Sequence, residues 1–318
     1  MKISIIIVNW NAKKYILKCL QSIYEIAKDL ETETIVVDNN STDDSVELIK
    51  QTFPDVKLIC NHQNLGFARA NNIGINRSRG KYLFLINSDV ILLDQCLQAM
   101  IQFMDENLNI GMLGPRILNP DRSLQLSCYS DPDFWNLLSR AFALDTLFPK
   151  SKIFGKRLMN YWNHNETKKV DILNGCFWMV RKEALKEVGL LDEKFFMYGE
   201  DMDWCKRFRD ANWDVVFYPK AQAIHFGGAS SANAPVRFYL EMFKADFQYW
   251  QKHQVSTGKY GFLLTALIYN IFRFLSNIML YILSSKNKKK DYRFRIKKYA
   301  AGIKWVFNNN KSLDARLS

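Results

Sequence analysis

The absences in this 318-residue chain narrow its chemistry first. Its six cysteines stand singly, at positions 19, 60, 96, 128, 176 and 205, with no Cys-x-x-Cys pair and no Cys/His spacing suited to zinc. A zinc module and a disulfide scaffold are thereby excluded, and reduced thiols in a cytosolic setting are expected. Histidine is scarce, four in all, so imidazole chemistry has few places to reside. No internal repeat is evident. The apolar run at residues 3–8 is too short for a signal-peptide core and meets Asn9 at once, so a buried strand is expected there instead of an export signal. Disorder is not the default either, because 48% of the residues are hydrophobic and the length suffices for one large α/β domain with an appendage.

Acidic residues are nearly missing from one segment: residues 286–304 hold nine Lys or Arg against the single acid Asp291, a net +8 out of the chain's +12. That segment follows an apolar stretch at 262–283, an order that favours an anionic membrane surface over nucleic acid. A spanning helix needs about 20 mainly apolar residues. The stretch is that long but carries Asn270, Arg273, Ser276 and Asn277, so an interfacial helix or a hairpin lying on the bilayer is expected. A helix packed on the rest of the protein, or a homodimer contact through the C-terminal helices, stays open.

The first hundred-odd residues alternate short β-branched runs (3–8, 34–37, 56–60, 82–86) with helix-period segments (13–27, 43–51, 68–76, 94–104). This pattern specifies a mostly parallel sheet covered by helices, a Rossmann-like half. Such sheets bind ligands beyond the carboxyl ends of their strands. Each run here ends in polar residues: Asn9-Trp10-Asn11, Asp38-Asn39-Asn40-Ser41, Asn61-His62 and Asn87-Ser88-Asp89. The segment 111–170, punctuated by Pro115, Pro120, Pro132 and Pro149, reads as irregular. Order returns with a strand at 176–180, helices at 181–188 and 201–211, and strand-like runs at 213–217 and 221–224; beyond Pro235 the chain reads as all-helical.

Five constellations carry candidate chemistry. Asp38 at a strand end can accept from a nucleobase imide or a ribose; it can equally close an acidic turn that caps the next helix. The stretch from Asn64 to Gly74 opens a helix after Gly66 and brings Arg69, which suits a diphosphate. Asn87-Ser88-Asp89 can bind a divalent cation, although Asn and Asp commonly end strands by making turns. Glu200-Asp201 stands at a helix mouth, where a base for an acceptor hydroxyl is wanted; helix-dipole chemistry is the plainer explanation, more so for Asp203 than for Asp201. His225 can add an imidazole to a cation otherwise held by one carboxylate.

Taken in order, these motifs, with Gly175-Cys176-Phe177-Trp178-Met179-Val180-Arg181 and the stretch from Phe196 to Arg207, resemble glycosyltransferase family 2 over about residues 3–231, and most of all its rhamnosyltransferase-like branch. The resemblance implies a GT-A fold, inverting stereochemistry and a nucleoside-diphosphate sugar held by Mn2+ or Mg2+. It implies Asp201 as the general base, Asp38 as the nucleobase contact, and Asp89 with His225 at the metal. The donor-binding set is then Asn9, Asp38, Asn40, Asn64, Arg69, Asn71 and Ser88, with Gly175, Trp178 and Glu200 supporting the acceptor side. Asn87 departs from the family pattern, standing where many relatives carry a first aspartate and leaving one charge fewer at the cation. The branch further implies dTDP-rhamnose as donor, a polyprenyl-diphosphate-linked or oligosaccharide acceptor, and a cytoplasmic location peripheral to the inner face of the cell membrane. A transferase domain over 1–234 is expected, with a nucleotide-binding half at 1–115 and an acceptor half at 116–234, followed by a helical extension at 235–318. A family 2 transferase using a UDP-sugar and a non-catalytic sugar-nucleotide-binding protein at the membrane are the alternatives. A nucleotidyltransferase would need a basic Gly-rich triphosphate loop that Val8-Asn9-Trp10-Asn11-Ala12 does not supply.

Overall fold

The computed structural model describes residues 3–227, 235–253 and 258–314, with side chains through 309. Gly228 and the expected domain boundary after 234 lie outside the described residues. The strands are β1 (Ile3–Asn9), β2 (Thr32–Asp38), β3 (Lys57–Cys60), β4 (Tyr82–Asn87), β5 (Val90–Leu92), β6 (Ile110–Leu118), β7 (Cys128–Tyr129), β8 (Lys168–Lys169), β9 (Ile172–Leu173), β10 (Phe177–Arg181) and β11 (Asp214–His225). The helices are α1 (Lys13–Ala27), α2 (Ser45–Thr52), α3 (Phe67–Arg77), α4 (Cys96–Glu106), α5 (Phe134–Ala141), α6 (Leu144–Leu147), α7 (Lys182–Val188), α8 (Glu200–Asp210), α9 (Pro235–Lys252), α10 (Gly258–Leu283) and α11 (Lys286–Asp314).

The main sheet runs β3-β2-β1-β4-β10-β6-β11-β5, with β8 added on β11. From β3 to β4 every pair is parallel, as the alternating strand-helix pattern requires. β1 is covered on both faces, and so reads as a continuous apolar run: Ile3, Ile5, Ile6 and Ile7 are all buried. β10 enters antiparallel between β4 and β6. This mixed, mostly parallel sheet flanked by helices is the expected GT-A architecture.

Two stretches differ from the sequence expectation. The segment taken as irregular from Gly111 opens with the nine-residue β6, which Pro115 disguises. A proline cannot donate to a neighbour, but β10 pairs only with Met112 and Leu113, so Pro115 stands where β6 has one partner strand. The runs at 213–217 and 221–224 are one strand, β11, whose register on β6 shifts between Tyr218 and Gln222.

By contacts the chain forms two units, Met1–Ser130 with Asn163–Ala232, and Asp131–Trp162 with Asn233–Ser318. The first holds the sheet. In the second, residues expected in the acceptor half group with the C-terminal helices: the Phe142 ring meets Phe272 of α10 at 6.2 Å, and the Arg140 guanidinium lies 5.8 Å over Tyr269. In α10, the polar Thr265, Asn270 and Asn277 are buried, while Leu264, Leu275, Met279, Ile282 and Leu283 are exposed. Asn270 accepts from Tyr239 Oη at 2.7 Å and sits where a side chain at Gly302 of α11 would otherwise be, which fixes the crossing of the two helices.

Candidate active site

Sheet register brings the strand ends together. Asn9 and Asp38 are directly paired on β1 and β2. The buried Asn9 amide donates to Asp38 Oδ1 at 2.7 Å, Ser45 Oγ at 2.9 Å and Ser41 Oγ at 3.1 Å. Asp38 also accepts from the Ser41 hydroxyl at 2.6 Å and from Ser41 N at 2.9 Å, closing a turn around Asn40. Asn40 is exposed and adopts a left-handed φ of 65°, a region asparagine tolerates. In this network only Asn9 Oδ1 is buried without a partner.

The glycine loop is held from the same side. Asn39, unnoticed in the sequence, donates to Gly66 O and Asn64 Oδ1 and accepts from Asn61 Nδ2 and Leu65 N. Asn64 Oδ1 also accepts from Gly66 N at 2.9 Å. Gly66 has a φ of +85°, and a Cβ there would fall 2.4 Å from Phe196 O, the carbonyl to which Phe67 N donates at 2.8 Å. The start of α3 is thus pinned to the segment that leads into α8. Farther along α3, Asn72 exchanges hydrogen bonds with the Leu191 backbone and donates to Glu193 Oε1. Arg69 Nε stands 3.6 Å from Glu193 Oε2, and Asn71 turns inward onto Phe67 O.

Asp89 and His225 meet because β5 pairs antiparallel with β11, setting His225 opposite Val90 while Phe226 N donates to Asp89 O at 3.1 Å. His225 Nε2 lies 3.3 Å from Asp89 Oδ1, and both side chains are largely buried. Among the described residues no three His, Cys, Asp or Glu side chains cluster, so the chain offers a cation one carboxylate and one imidazole. That spacing suits two donors of a single ion, being near the roughly 3 Å between neighbouring ligands at about 2.1 Å from an octahedral centre. Ser88 stands half-buried between Asn87 and Asp89.

Tyr198 and Gly199, both left-handed with φ of 67° and 81°, turn the chain into α8. A tyrosine in that region is held against its preference, as residues at functional turns often are. Glu200 follows, buried, with Oε2 lacking a partner; burial and then the charge of Asp201 push its carboxyl well above the usual range. Asp201 Oδ1 accepts from Met202 N at 2.8 Å. Asp203 is framework: wholly buried, it accepts from Arg207 Nε at 2.9 Å, and Arg207 ties down Val188 O and Leu190 O. Burial pushes the Cys176 thiol up, with the charges of Asp89 and Asp201 adding to the rise. Asn87 N donates to Cys176 O at 2.9 Å, hanging the start of β10 on the end of β4.

Gly175 leaves room for the Trp178 ring, which a Cβ would meet at 3.2 Å. Trp178 itself is wholly buried, donates to Leu173 O and packs edge-on against Trp204 and Phe67. It therefore exposes no surface to a ligand. A cleft of about 410 Å³ lined by Tyr24, Lys28, Glu33, Asp55 and Lys57 lies at the opposite, amino ends of the strands and holds none of these groups. Gln125, which no local pattern marks, has Oε1 2.6 Å from His225 Nδ1.

With this geometry in hand, the comparisons are informative. The profile of glycosyl transferase family 2 matches residues 4–189. The N-acetylglucosaminyl-diphospho-decaprenol L-rhamnosyltransferase of Mycobacterium tuberculosis is 27% identical over 235 residues, covering 66% of this chain and 71% of its own. Rhamnosyltransferase WbbL of Escherichia coli is 25% identical over 276 residues, covering 80% and 95% respectively. Among solved structures, the mannosyltransferase PcManGT from Pyrobaculum calidifontis, in complex with GDP-Man and Mn2+, superposes with a TM-score of 0.57 at 16% identity, over 96% of this chain and 86% of that one. That last likeness shows the fold.

Proposed function

The chain belongs to glycosyl transferase family 2 and is a glycosyltransferase of its rhamnosyltransferase-like branch, and we propose that it moves L-rhamnose from dTDP-rhamnose, with inversion, onto a saccharide hydroxyl. One observation carries the reading: the β5–β11 register sets the Asp89 carboxylate and the His225 imidazole 3.3 Å apart at the strand ends, placed for one cation. The bond from Phe67 N to Phe196 O, which holds the lead-in to α8 against the start of α3, supports placing the base on the same side. A bound Mn2+ or Mg2+, held by Asp89 and His225, supplies charge neutralisation at the departing diphosphate.

Asp201 takes the proton of the acceptor hydroxyl as its oxygen bonds to the anomeric carbon on one face, while the bond to the diphosphate breaks on the other. Burial and the neighbouring Asp201 charge favour the protonated form of Glu200, which sets the two carboxyls apart and leaves the base role to Asp201. Asp38, oriented by Asn9 and Ser41, contacts the nucleobase beside Asn40. Asn64, Asn71 and Ser88 line the donor, and Arg69 exchanges Glu193 for the diphosphate. Gly175 and Trp178 shape the acceptor side from below.

The acceptor is a polyprenyl-diphosphate-linked glycan, which the relatives' names support, and the enzyme works peripherally at the cytoplasmic face of the cell membrane. α10 is long and apolar enough to cross a membrane by length and composition, yet it buries polar residues and exposes apolar ones. The exposed apolar residues, Leu264, Leu275, Met279, Ile282 and Leu283, next to the basic segment at 286–298 suit an anionic bilayer surface, while Phe262, Leu263 and Ala266 are buried with the polar residues. Full-length protein is expected to pellet with anionic vesicles and not with zwitterionic ones, and Leu275→Glu with Met279→Glu should release it. Concentration-dependent dimerisation without vesicle binding would assign the face to a second copy.

The donor is tested by screening nucleotide sugars for thermal stabilisation with and without Mn2+. Stabilisation by dTDP-rhamnose that needs the metal, followed by transfer to a lipid-linked saccharide, is expected. Stabilisation by UDP-sugars alone moves the donor to that class, and none by any nucleotide sugar overturns the reading.

A further inference from the structure

Gln125 sits in the connection between β6 and β7, and its amide is oriented by partners that leave one choice. Asn119 Nδ2 donates to Ser123 Oγ at 2.9 Å and to Leu124 O at 3.3 Å, which turns Asn119 Oδ1 towards Gln125. Gln125 Nε2 then donates to Asn119 Oδ1 at 2.8 Å and to the backbone carbonyl of His225 at 3.1 Å. Both amide hydrogens are used, so Oε1, 2.6 Å from His225 Nδ1, can only accept. Nδ1 must therefore carry a hydrogen. In the neutral ring the lone pair is then on Nε2, and it faces the Asp89 carboxylate at 3.3 Å. Nε2 is thereby the ring atom left to face Asp89, and a ring whose other nitrogen donates to an amide oxygen is the usual arrangement of a ligating histidine.

We propose that Gln125 is a positioning residue, which fixes His225 as an Nε2 ligand and thereby gives the centre its preference for manganese over magnesium. The inference rests on the metal-dependent reading above and adds to it an orienting residue and a metal choice. The choice follows from chemistry: magnesium demands near-ideal oxygen coordination, whereas an imidazole nitrogen in place of an oxygen favours a transition ion. With Asn87 in place of a second carboxylate, the centre has one anionic side chain, so a firmly aimed neutral nitrogen matters more here than at a two-carboxylate site.

The test is retention of Mn2+ by the full-length chain, followed by the electron paramagnetic resonance signal of the free ion, with dTDP and separately with UDP, and with Mg2+ as competitor. Gln125→Met, which keeps the length but neither accepts nor donates, is expected to weaken Mn2+ retention by about 10–100-fold and to narrow the Mn2+/Mg2+ preference. Gln125→Glu keeps the acceptor and is expected to stay within a few-fold of the wild type. Should Gln125→Met fail to fold, Asn119→Ala, which releases the amide, replaces it with the same expectation. Wild-type retention in Gln125→Met, or in Asn119→Ala where that replaces it, overturns the proposal. Equal loss in Gln125→Met and Gln125→Glu does too, because it reduces Gln125 to a loop tie. If His225→Ala retains Mn2+ like the wild type, His225 is no ligand and the proposal fails, while a metal at Asp89 survives. If the wild type itself retains none with either nucleotide, the metal-dependent reading fails with it.

Discussion

At the end of β2, the Asp38 carboxylate accepts from Asn9, from the Ser41 hydroxyl and from Ser41 N, and the loop around it is closed by its own hydrogen bonds. At the end of β4 and the mouth of α8 the polar groups are sparsely partnered: Asp89 Oδ1 stands 3.3 Å from His225 Nε2, and Glu200 Oε2 is buried with no partner. Both regions are acidic strand-end or helix-start loops on one sheet. The first is closed by its own hydrogen bonds save for Asn9 Oδ1, and on the proposed function presents its edge to the base ready-made; the second, on that same proposal, is completed by a cation and a substrate. Unpaired polar groups in a buried site cost stability, so they mark where selection has kept chemistry over folding.

The sharpest way to break this comparison is to remove a group from the sparsely partnered side. Asp89→Ala should lower transfer by at least ~100-fold and abolish the response to Mn2+, with thermal stability unchanged or slightly raised. Activity near that of the wild type would return Asp89 to an ordinary turn residue. Next comes the pin between the two loops: Gly66→Ala forces a side chain into a left-handed backbone and onto Phe196 O, and should cost about 1–3 kcal/mol of stability in denaturant unfolding and slow transfer by ~100-fold.

On the self-closed side the sign reverses. Asp38→Asn leaves hydrogen-bond donors of Asn9 and Ser41 facing an amide, and should cost about 1–3 kcal/mol of stability even without nucleotide. An unchanged midpoint would show that the β2 loop is not self-supporting.

The smallest effect is at Glu200, and it is read in pH. Its folded-state carboxyl is raised by burial and by Asp201, so the folded state holds a proton that the unfolded chain releases near pH 4.3. Wild-type stability should therefore decline as pH rises above that value. Glu200→Gln should flatten the decline, read as a smaller fall in the denaturant midpoint between acid and neutral pH. A profile identical to that of the wild type would place Glu200 in water.

β1, β2 and β4 were legible in the sequence because two-sided burial writes itself as apolar runs, and their polar ends named Asn9, Asp38 and Asp89. β6 was not, since Pro115 looks like a break until β10 is known to stop short of it. Asp201 and His225 were reachable as motifs, but the meeting of His225 with Asp89 depends on β5–β11 register, which local pattern does not encode. Asn39, Asn72 and Gln125 act through amides on distant backbone, and an isolated amide in a loop has no spacing to betray it. Likewise the residues 131–162 join the C-terminal helices through aromatic contacts that have no periodic signature.

The central claim is that Asp201 is the base of an inverting transfer carried out beside a donor held at Asp89. Asp201→Asn, assayed in one preparation for donor binding by calorimetry with Mn2+ and for sugar transfer, tests it most directly. Binding within a few-fold of the wild type together with transfer reduced by about 100- to 10,000-fold is the predicted result. Transfer at the wild-type rate by a protein that binds donor normally would contradict it.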